Sequence, residues 1–282
     1  MDGASAEHRE KPFMMQGDFF KHWERFPAGT FDLILTDPPY GLFGQEIEDL
    51  AWDTTIDLSQ LEETFTILLK PTGLVLLSCD LHFLTQLLTE FTTHFEYHHH
   101  YIWRKPGGMP VNKTHPITNH EFVVVFRRQG VKVQDLTWHP RETGIIGKPY
   151  KKTNSTTHVP TRRMKKSATN ANTTGSRYMK TVLDAPSKPN MPKAERTSHP
   201  MQKPLALLRP LIRTYSNPGD LILDPFAGSG STLVAASLEQ RRAIGCEINS
   251  GYYEETQHRL SKIAEQEELF PPIDTHTKQE HT

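Results

Sequence analysis

The chain has 282 residues, of which 32 are Lys or Arg and 33 are Asp or Glu, so its formal net charge is −1 and favours no class of partner. Two isolated cysteines exclude a disulfide scaffold and a zinc–cysteine site, and no apolar run approaches the length of a membrane span. The polar first residues lack a signal-peptide core. We therefore expect a soluble cytoplasmic protein with no metal site and no membrane partner.

The first clear element is a strand over residues 31–36, which ends at an acid, two prolines and an aromatic. Its almost continuously apolar run, FDLILT, is typical of a strand covered on both faces of a parallel sheet. Pro38 and Pro39 have no N–H, so the corner offers acceptors and no competing donors. Asp37 adds a carboxylate where open α/β sheets bind ligands, and Tyr40 adds a flat face. On this fragment alone, an ordinary Asp-Pro-Pro turn is an equally good interpretation.

Helices and strands then alternate along the chain. Ser59 and Glu62 predict a capping box at the start of the next helix. The elements predicted from there are that helix, ending before Pro71, a strand over 73–78, a helix over about 81–91, and strands over 99–103 and 121–126. The run His98-His99-His100 suggests metal binding, but neighbours in a strand face opposite sides, so we predict no metal site there.

Residues 127–197 differ in composition from the rest of the chain. They are rich in Thr, Asn, Ser and Pro and have too few apolar residues for a core of their own. Within them, residues 151–197 contain eleven Lys or Arg and only two acids. This composition predicts a basic insert within the α/β domain. Without a partner, such a segment is also compatible with a solvated, disordered loop.

The alternating pattern resumes after the insert. It predicts a helix over 203–216 that contains Pro210, a strand over 220–224, a strand over 242–248 and a final helix that contains Leu260 and Ile263. Strands that alternate with helices predict an α/β fold with a doubly wound, mostly parallel sheet and right-handed crossovers.

The stretch LILDPFAGSGST repeats the pattern of a strand that ends in Asp-Pro. Asp224 precedes Gly228, Ser229 and Gly230, and glycines in such a turn let a ligand approach the backbone closely. The spacing is neither G-x-G-x-x-G nor a phosphate-binding P-loop. Glu247 ends the next strand, where an acid commonly binds the ribose hydroxyls of an adenosine. Together these features favour an adenosine-containing cofactor over a plain helix-start turn with a surface Glu.

Four segments, in this order, resemble the amino-methyltransferases of DNA that use S-adenosylmethionine. DPPY at 37–40 is similar to their catalytic motif, and DPFAGSGST at 224–232 is similar to their methionine-binding loop. GDFF at 17–20 and HPMQKP at 199–204 are similar to the segments that precede the catalytic strand and that loop. The order is that of the beta class, whose chains look like a circular permutation of the common methyltransferase domain. The resemblance covers nearly everything outside 127–197.

The resemblance implies a Rossmann-like, circularly permuted methyltransferase domain with S-adenosylmethionine as its cofactor. Its implied divisions are a catalytic half at 13–126, a target-recognition region at 127–197, a cofactor-binding half at 198–264, and flexible ends at 1–12 and 265–282. The implied substrate is double-stranded DNA, methylated at the N6 amine of a flipped-out adenine, with the basic insert on the phosphates. The resemblance also implies a bacterial or phage-encoded protein associated with the nucleoid. By analogy, a separate restriction endonuclease and a homodimer are possible partners.

The resemblance also implies a role for each site residue. At the reaction corner, Asp37 and the carbonyl of Pro38 accept the N–H groups of the target amine, Pro39 keeps the corner rigid, and Tyr40 stacks on the base. The implied cofactor residues are Asp18 for adenine, Glu247 for ribose, Asp224, Phe226, Gly228, Ser229 and Gly230 for the methionine part, His199 and Lys203 at the methionine end, and Asp37 at the border with the reaction corner.

Several alternatives stay open from sequence alone. The nearest is N4-cytosine methylation, because the same corner can hold a cytosine amine, although cytosine relatives often have Ser in place of Asp37. An NPPY-like RNA or protein methyltransferase is a second alternative, and a DNA-binding module without catalysis is a third. A nicotinamide-dependent oxidoreductase is disfavoured by the missing G-x-G-x-x-G.

Overall fold

The computed structural model describes residues 12–41, 53–107, 114, 116–141, 147–153 and 169–269. The strands are β1 (Phe13–Gln16), β2 (Phe31–Thr36), β3 (Leu69–Cys79), β4 (Phe95–Arg104), β5 (His120–Arg128), β6 (Tyr150–Thr153), β7 (Thr169–Asn172), β8 (Val182–Asp184), β9 (Leu221–Asp224) and β10 (Arg242–Glu247). The α-helices are α1 (Leu58–Leu68), α2 (Leu81–Glu90), α3 (Leu205–Tyr215), α4 (Ser231–Leu238) and α5 (Ser250–Leu269).

One eight-stranded sheet organises the described part of the chain. Its strand order is β1-β10-β9-β2-β3-β5-β4-β8, and β5 is the strand that runs antiparallel to both of its neighbours. The other pairings in this sheet are parallel. The prediction of a doubly wound, mostly parallel α/β sheet is confirmed. Strands β6 and β7 form a separate antiparallel pair.

Apolar side chains cover both faces of the sheet, which explains why its central strands read as continuous apolar runs. Along β2, Leu33 and Leu35 pack in the core on the side of α3 and α4. Ile34, between them, packs in the second core with residues of α1 and α2, such as Phe65. These side chains are at most 1% exposed. The two cores therefore hold β2 rigidly up to the corner at its carboxyl end.

The capping box predicted for α1 is wrong. Asp57 caps the helix instead, because its Oδ1 accepts hydrogen bonds from the N–H groups of Ser59 and Gln60 at 2.9 and 3.1 Å. Glu62 is buried, and its Oε1 accepts from the backbone N–H of His94 at 2.7 Å. The carboxylate thus ties α1 to the start of β4 rather than closing its own helix end.

Several elements extend beyond the predicted bounds. β3 begins at Leu69, directly after α1, and β4 and β5 pair from Phe95 opposite Arg128 to Arg104 opposite His120. α5 continues to Leu269, past the predicted boundary at 264. β4 and β5 form an antiparallel hairpin whose ends include polar residues. The sequence predicted only the apolar centres of these two strands. α3 is one continuous helix that contains Pro210.

Part of the basic insert joins the main domain. β8 lies at the sheet edge, parallel to β4, with Leu183 opposite Trp103. Leu183 and Leu136 are buried in the same core as α3, and Met191 is also buried. These apolar residues are too widely spaced to produce a periodic signal. The basic residues at 162–166 lie outside the described residues, and the division into three regions stays a prediction.

Candidate active site

The two acidic strand ends are neighbours in the sheet. β2 and β9 run parallel, with Ile34 opposite Leu223. From this pair the sheet continues through β10 on one side and through β3 on the other, so a crevice is expected at their carboxyl ends. The Thr36 hydroxyl donates a hydrogen bond to Asp224 Oδ1 at 2.6 Å. This bond links the end of β2, which is followed by the acid-proline corner, to the end of β9, which is followed by the glycine loop.

The Asp37 carboxylate is held from both oxygens. The Tyr40 hydroxyl donates to Oδ1 at 2.6 Å, and the Lys203 ammonium donates to Oδ2. The Tyr40 ring stacks on Phe83, with ring centroids 5.3 Å apart and planes inclined by 26°. Pro38 is buried beneath the corner. The acid and the aromatic of the DPPY motif are therefore oriented together.

A buried ammonium lies between two carboxylates at this corner. Burial raises the pKa of Asp37, and the charge of Lys203 opposes this shift without cancelling it. Burial alone would lower the pKa of Lys203, but the charges of Asp37 and Glu121 raise it. Burial would likewise raise the pKa of Glu121, but Lys203 and Lys105 lower it. The charged form of Lys203 is thus stabilised by two acids rather than one.

Asp53 fixes the backbone that follows the corner. Its Oδ1 accepts from the N–H of Tyr40 at 2.8 Å and from the N–H of Gly41 at 2.9 Å. Asp53 is 3% exposed, so these bonds are shielded from water. Asp53 was not among the predicted site residues, because nothing periodic distinguishes an acid that lies 13 positions after Tyr40.

A cavity of about 650 Å³ opens between the corner and the glycine loop. Most of the predicted site residues contribute to its wall: Asp18, Asp37, Pro39, His199, Lys203, Asp224, Phe226, Gly228, Ser229 and Glu247. Its volume lies within the range typical of small-molecule and cofactor sites. Residues 54–57 and Gln60, at the start of α1, line it as well. That segment has no motif in the sequence that would have marked it as part of the site.

The glycine loop has a backbone conformation that residues with a side chain rarely adopt. Gly228 and Gly230 have φ angles of +50° and +67°, in the left-handed region. A Cβ on Gly228 would lie 2.9 Å from His199 Nε2, and one on Gly230 would lie 2.2 Å from Thr256 Cγ2. α4 begins immediately afterwards, where the first N–H groups of a helix lack intrahelical partners. Ser229 is buried and lines the cavity.

Asp224 is a buried acid with several donors. Its Oδ1 accepts from Thr36 and, at 3.3 Å, from the N–H of Phe226. Burial raises the pKa of Asp224 to about 6, although its hydrogen bonds with Thr36, Thr232 and Phe226 lower it. A cationic group beside this carboxylate would favour its ionised form.

The far side of the cavity is built from β10 and from the turn after β1. Glu247 Oε2 accepts from the N–H of Gly228 at 2.8 Å, and Oε1 accepts from the N–H of Asn249 at 2.8 Å. Burial raises the pKa of Glu247. Asp18 Oδ1 accepts from the N–H of Phe20 at 3.0 Å and begins a short 3-10 turn. Each carboxylate is thereby oriented by the backbone and retains lone pairs for a ligand.

Aromatic rings line the cavity between these acids. The ring centroid of Phe226 lies 6.4 Å from that of Phe19 and 6.3 Å from that of Phe20. At the opposite end, the His199 ring packs against Tyr252 with centroids 4.4 Å apart. Burial and the charge of Lys203 together lower the pKa of His199 to about 4, so the ring is neutral at pH 7.

The histidine run and the two cysteines, which stood out in the sequence, can be located in the structure. His99 Nε2 lies 2.5 Å from the Tyr215 hydroxyl, and among the described residues no group of His, Cys, Asp or Glu could hold a metal ion. Cys79 and Cys246 are buried free thiols. Within the described part of the chain, no helix has the length and apolar character needed to cross a bilayer. Glu121 was missed because it reads as the first residue of an apolar strand.

The open α/β sheet, with an acidic proline corner and a glycine-rich loop at adjoining strand ends, is a Rossmann-like fold with a ligand site at the carboxyl ends of its strands. Residues 31–258 match the DNA methylase family model of the N6/N4 type. The chain therefore belongs to the N6/N4 DNA methylase family.

Two curated relatives align with most of the chain. The chain is 27% identical over 282 residues to the DNA adenine methyltransferase YhdJ of Escherichia coli (strain K12), covering 89% of this chain and 83% of the relative. It is 26% identical over 248 residues to the type II methyltransferase M.HpaI of Haemophilus parainfluenzae, covering 85% of this chain and 71% of that relative.

Solved structures share the fold. The complex of M1.HpyAVI with S-adenosylmethionine has a TM-score of 0.56 and 23% identity, over 88% of this chain and 98% of that one. PvuII DNA methyltransferase, described as cytosine-N4-specific, has a TM-score of 0.62 and 17% identity, over 91% of each chain. The prediction of an S-adenosylmethionine-dependent DNA amino-methyltransferase is confirmed at the level of the family.

Proposed function

We propose that the protein transfers a methyl group from S-adenosylmethionine to the N6 amine of an adenine in double-stranded DNA. The observation that carries this proposal is the juxtaposition of the Asp37 corner and the glycine loop around one cavity. The acid at position 37 and the similarity to a relative named as a DNA adenine methyltransferase both favour adenine.

The described cavity residues fit S-adenosylmethionine. We assign Asp18 to the adenine, Glu247 to the ribose hydroxyls and Phe226 to the apolar surface between them. Asp224 and the loop of Gly228, Ser229 and Gly230 would hold the methionine part, with His199 at its end. When bound, this cofactor supplies a methyl group on a positively charged sulfonium. The buried carboxylates of Asp224 and Glu247 suit a ligand that carries positive charge and hydroxyl donors.

Asp37 and Pro38 supply the reaction corner. The exocyclic amine of adenine is a poor nucleophile, because its lone pair is delocalised into the ring. If the Asp37 carboxylate and the Pro38 carbonyl each accept one N–H, the nitrogen shifts toward sp³ geometry and its lone pair points away from the ring. The Tyr40 hydroxyl orients Asp37 for this task. Because this hydrogen bond is already formed, Asp37 needs no reorientation during the reaction.

A base within a duplex cannot reach this corner, so we propose that it is flipped out. Unstacking costs a few kcal/mol, which new contacts in the site must offset. Tyr40 already stacks on Phe83. We assign its other face to the target base, so that base, Tyr40 and Phe83 would form a continuous stack.

The basic insert is the proposed DNA-recognition region. Arg141 lies over the Tyr178 ring at 4.5 Å, and Arg177 lies over the Tyr150 ring at 5.0 Å, so cation–π contacts link described segments of this region. Lys and Arg side chains in this region suit phosphate contacts, which give salt-dependent affinity. We further propose a cytoplasmic protein of bacterial or phage origin, bound to the nucleoid, with a homodimer or a separate restriction endonuclease as further partners.

The proposal is tested by identifying the product. The protein is incubated with methyl-labelled S-adenosylmethionine and unmethylated genomic DNA of mixed composition, and the labelled nucleoside is identified by mass. We expect labelled N6-methyladenine. Labelled N4-methylcytosine would mean that the cofactor and the reaction corner are as proposed but that the target base is cytosine. Unlabelled DNA would contradict the proposal. The Asp37→Ala variant controls for contaminating methyltransferases.

A further inference from the structure

The Lys203 ammonium is poised between two acceptors at the reaction end of the cavity. It donates to Asp37 Oδ2, and its Nζ lies 3.5 Å from Glu121 Oε2. Charge-assisted N–H···O bonds have lengths of about 2.7–2.9 Å, so a movement of roughly 0.7 Å would complete the bond to Glu121. The long, flexible lysine stem permits such a movement. The side chains of Lys203 and Glu121 are only 7% and 11% exposed, so water competes little for the charges.

The surroundings of Glu121 hold its carboxylate in place. Its Oε1 accepts a hydrogen bond from the Lys105 ammonium. Lys105 in turn lies 4.6 Å from the centre of the Trp103 ring, whose Nε1 donates to the carbonyl of Ala185 at 2.9 Å. One oxygen of Glu121 is therefore fixed by a structural ion pair, and the other is the one nearest Lys203.

The proposed reaction is favoured when Asp37 changes partners, because a carboxylate that is not neutralised by an ammonium is the better acceptor for the target amine. The target amine must approach a carboxylate that here accepts from Lys203, and a positive charge at that distance weakens Asp37 as an acceptor. Displacing a buried ammonium without a new partner would be costly. A second carboxylate within reach removes this cost.

We infer that Glu121 is a positioning residue that receives the Lys203 ammonium from Asp37 when the target amine enters. This exchange frees Asp37 Oδ2 to accept an N–H while Lys203 stays paired. The inference rests on the proposed function and assigns Glu121 no contact with substrate or cofactor. Its role is to control which carboxylate Lys203 neutralises at each stage.

The test compares Glu121→Gln with Glu121→Asp and with Glu96→Gln as a matched control. Glu96 is also paired with a cation, since its Oε1 lies 3.2 Å from Arg127, but that cation is not Lys203. We measure kcat, the KM for S-adenosylmethionine and the melting temperature. We expect Glu121→Gln to lower kcat by about tenfold with KM within about twofold of wild type, because Lys203 stays on Asp37. Glu121→Asp should recover part of kcat, and Glu96→Gln should resemble wild type.

The outcomes separate the inference from the function on which it rests. If wild type is active and Glu121→Gln keeps kcat within about twofold, the inference is wrong while the proposed function stands. Equal losses in Glu121→Gln and Glu121→Asp would assign Glu121 to packing and overturn the inference. If Glu121→Gln does not fold, Glu121→Asp provides the test. A kcat equal to that of wild type, or a fall in kcat accompanied by a rise in KM, would overturn the inference. A wild-type protein that labels no DNA would overturn the proposed function, and the inference with it.

Discussion

Asp37 and Lys203 form a part-buried pair whose members are separated by 166 positions in the chain. Asp37 was predicted because it ends a strand in a recognisable local pattern. The contact with Lys203 has no local signal, since it arises only when the segment before α3 folds against the carboxyl end of β2. The resemblance assigned Lys203 to the methionine end of the cofactor, and this assignment stays a prediction beside the ion pair with Asp37.

Asp224 gives the cofactor site a predicted pH dependence. Burial raises the pKa of Asp224 to about 6, so the free protein loses this negative charge as the pH falls through 6. A cationic cofactor should bind less tightly below that pH. We expect Asp224→Asn to weaken S-adenosylmethionine binding on the order of tenfold at pH 8.

Calorimetric titrations at pH 5 and pH 8 check this prediction. The wild-type affinity should fall between pH 8 and pH 5, and the affinity of Asp224→Asn should change less. Equal pH dependence in the two proteins would show that Asp224 does not supply the titrating charge. Because Asn also accepts a hydrogen bond at Oδ1, the bond from Thr36 can be retained, and melting temperatures provide the control for folding.

At the scale of elements, apolar periodicity predicted most helices and strands, while polar contacts across elements were not predictable. The α1 capping box illustrates the limit. Ser59 and Glu62 match the motif, but Glu62 lies on the buried face beside Leu61 and binds the backbone at the start of β4. Similarly, β8 needs only three residues to extend the sheet, and such a short segment gives no periodic signal.

The loop after the corner depends on Asp53. We expect Asp53→Ala to lower kcat by roughly tenfold or more, because the N–H groups of Tyr40 and Gly41 lose their acceptor and the Tyr40 ring loses its fixed orientation. S-adenosylmethionine affinity should stay within about threefold of wild type.

Single-turnover rates and equilibrium binding measure these two quantities. Asp220→Ala is a matched control, because Asp220 also accepts a backbone N–H in a loop, from Asn217 at 2.7 Å, and does not line the cavity. An unchanged rate in Asp53→Ala, or a loss of equal size in Asp220→Ala, would contradict the assigned role.

At the scale of the whole molecule, the two strands that end in acid-proline corners led to the prediction of a cofactor site beside a reaction site. The strand that carries the catalytic motif and the strand before the glycine loop are far apart in the sequence, and parallel pairing in the sheet makes them adjacent as β2 and β9. What the sequence could not predict is how the insert returns to the sheet, because β8 pairs with β4 through backbone bonds that any short strand could make.

The central claim is that the Asp37 corner carries the chemistry and the neighbouring cavity carries the cofactor. The most direct test is the single-turnover rate of methyl transfer by Asp37→Ala at saturating S-adenosylmethionine and DNA. We predict a fall on the order of 10²- to 10⁴-fold, with cofactor affinity largely retained, because an oriented acceptor is lost while the glycine loop and Glu247 are intact. A rate within about tenfold of wild type would contradict the acceptor-corner mechanism.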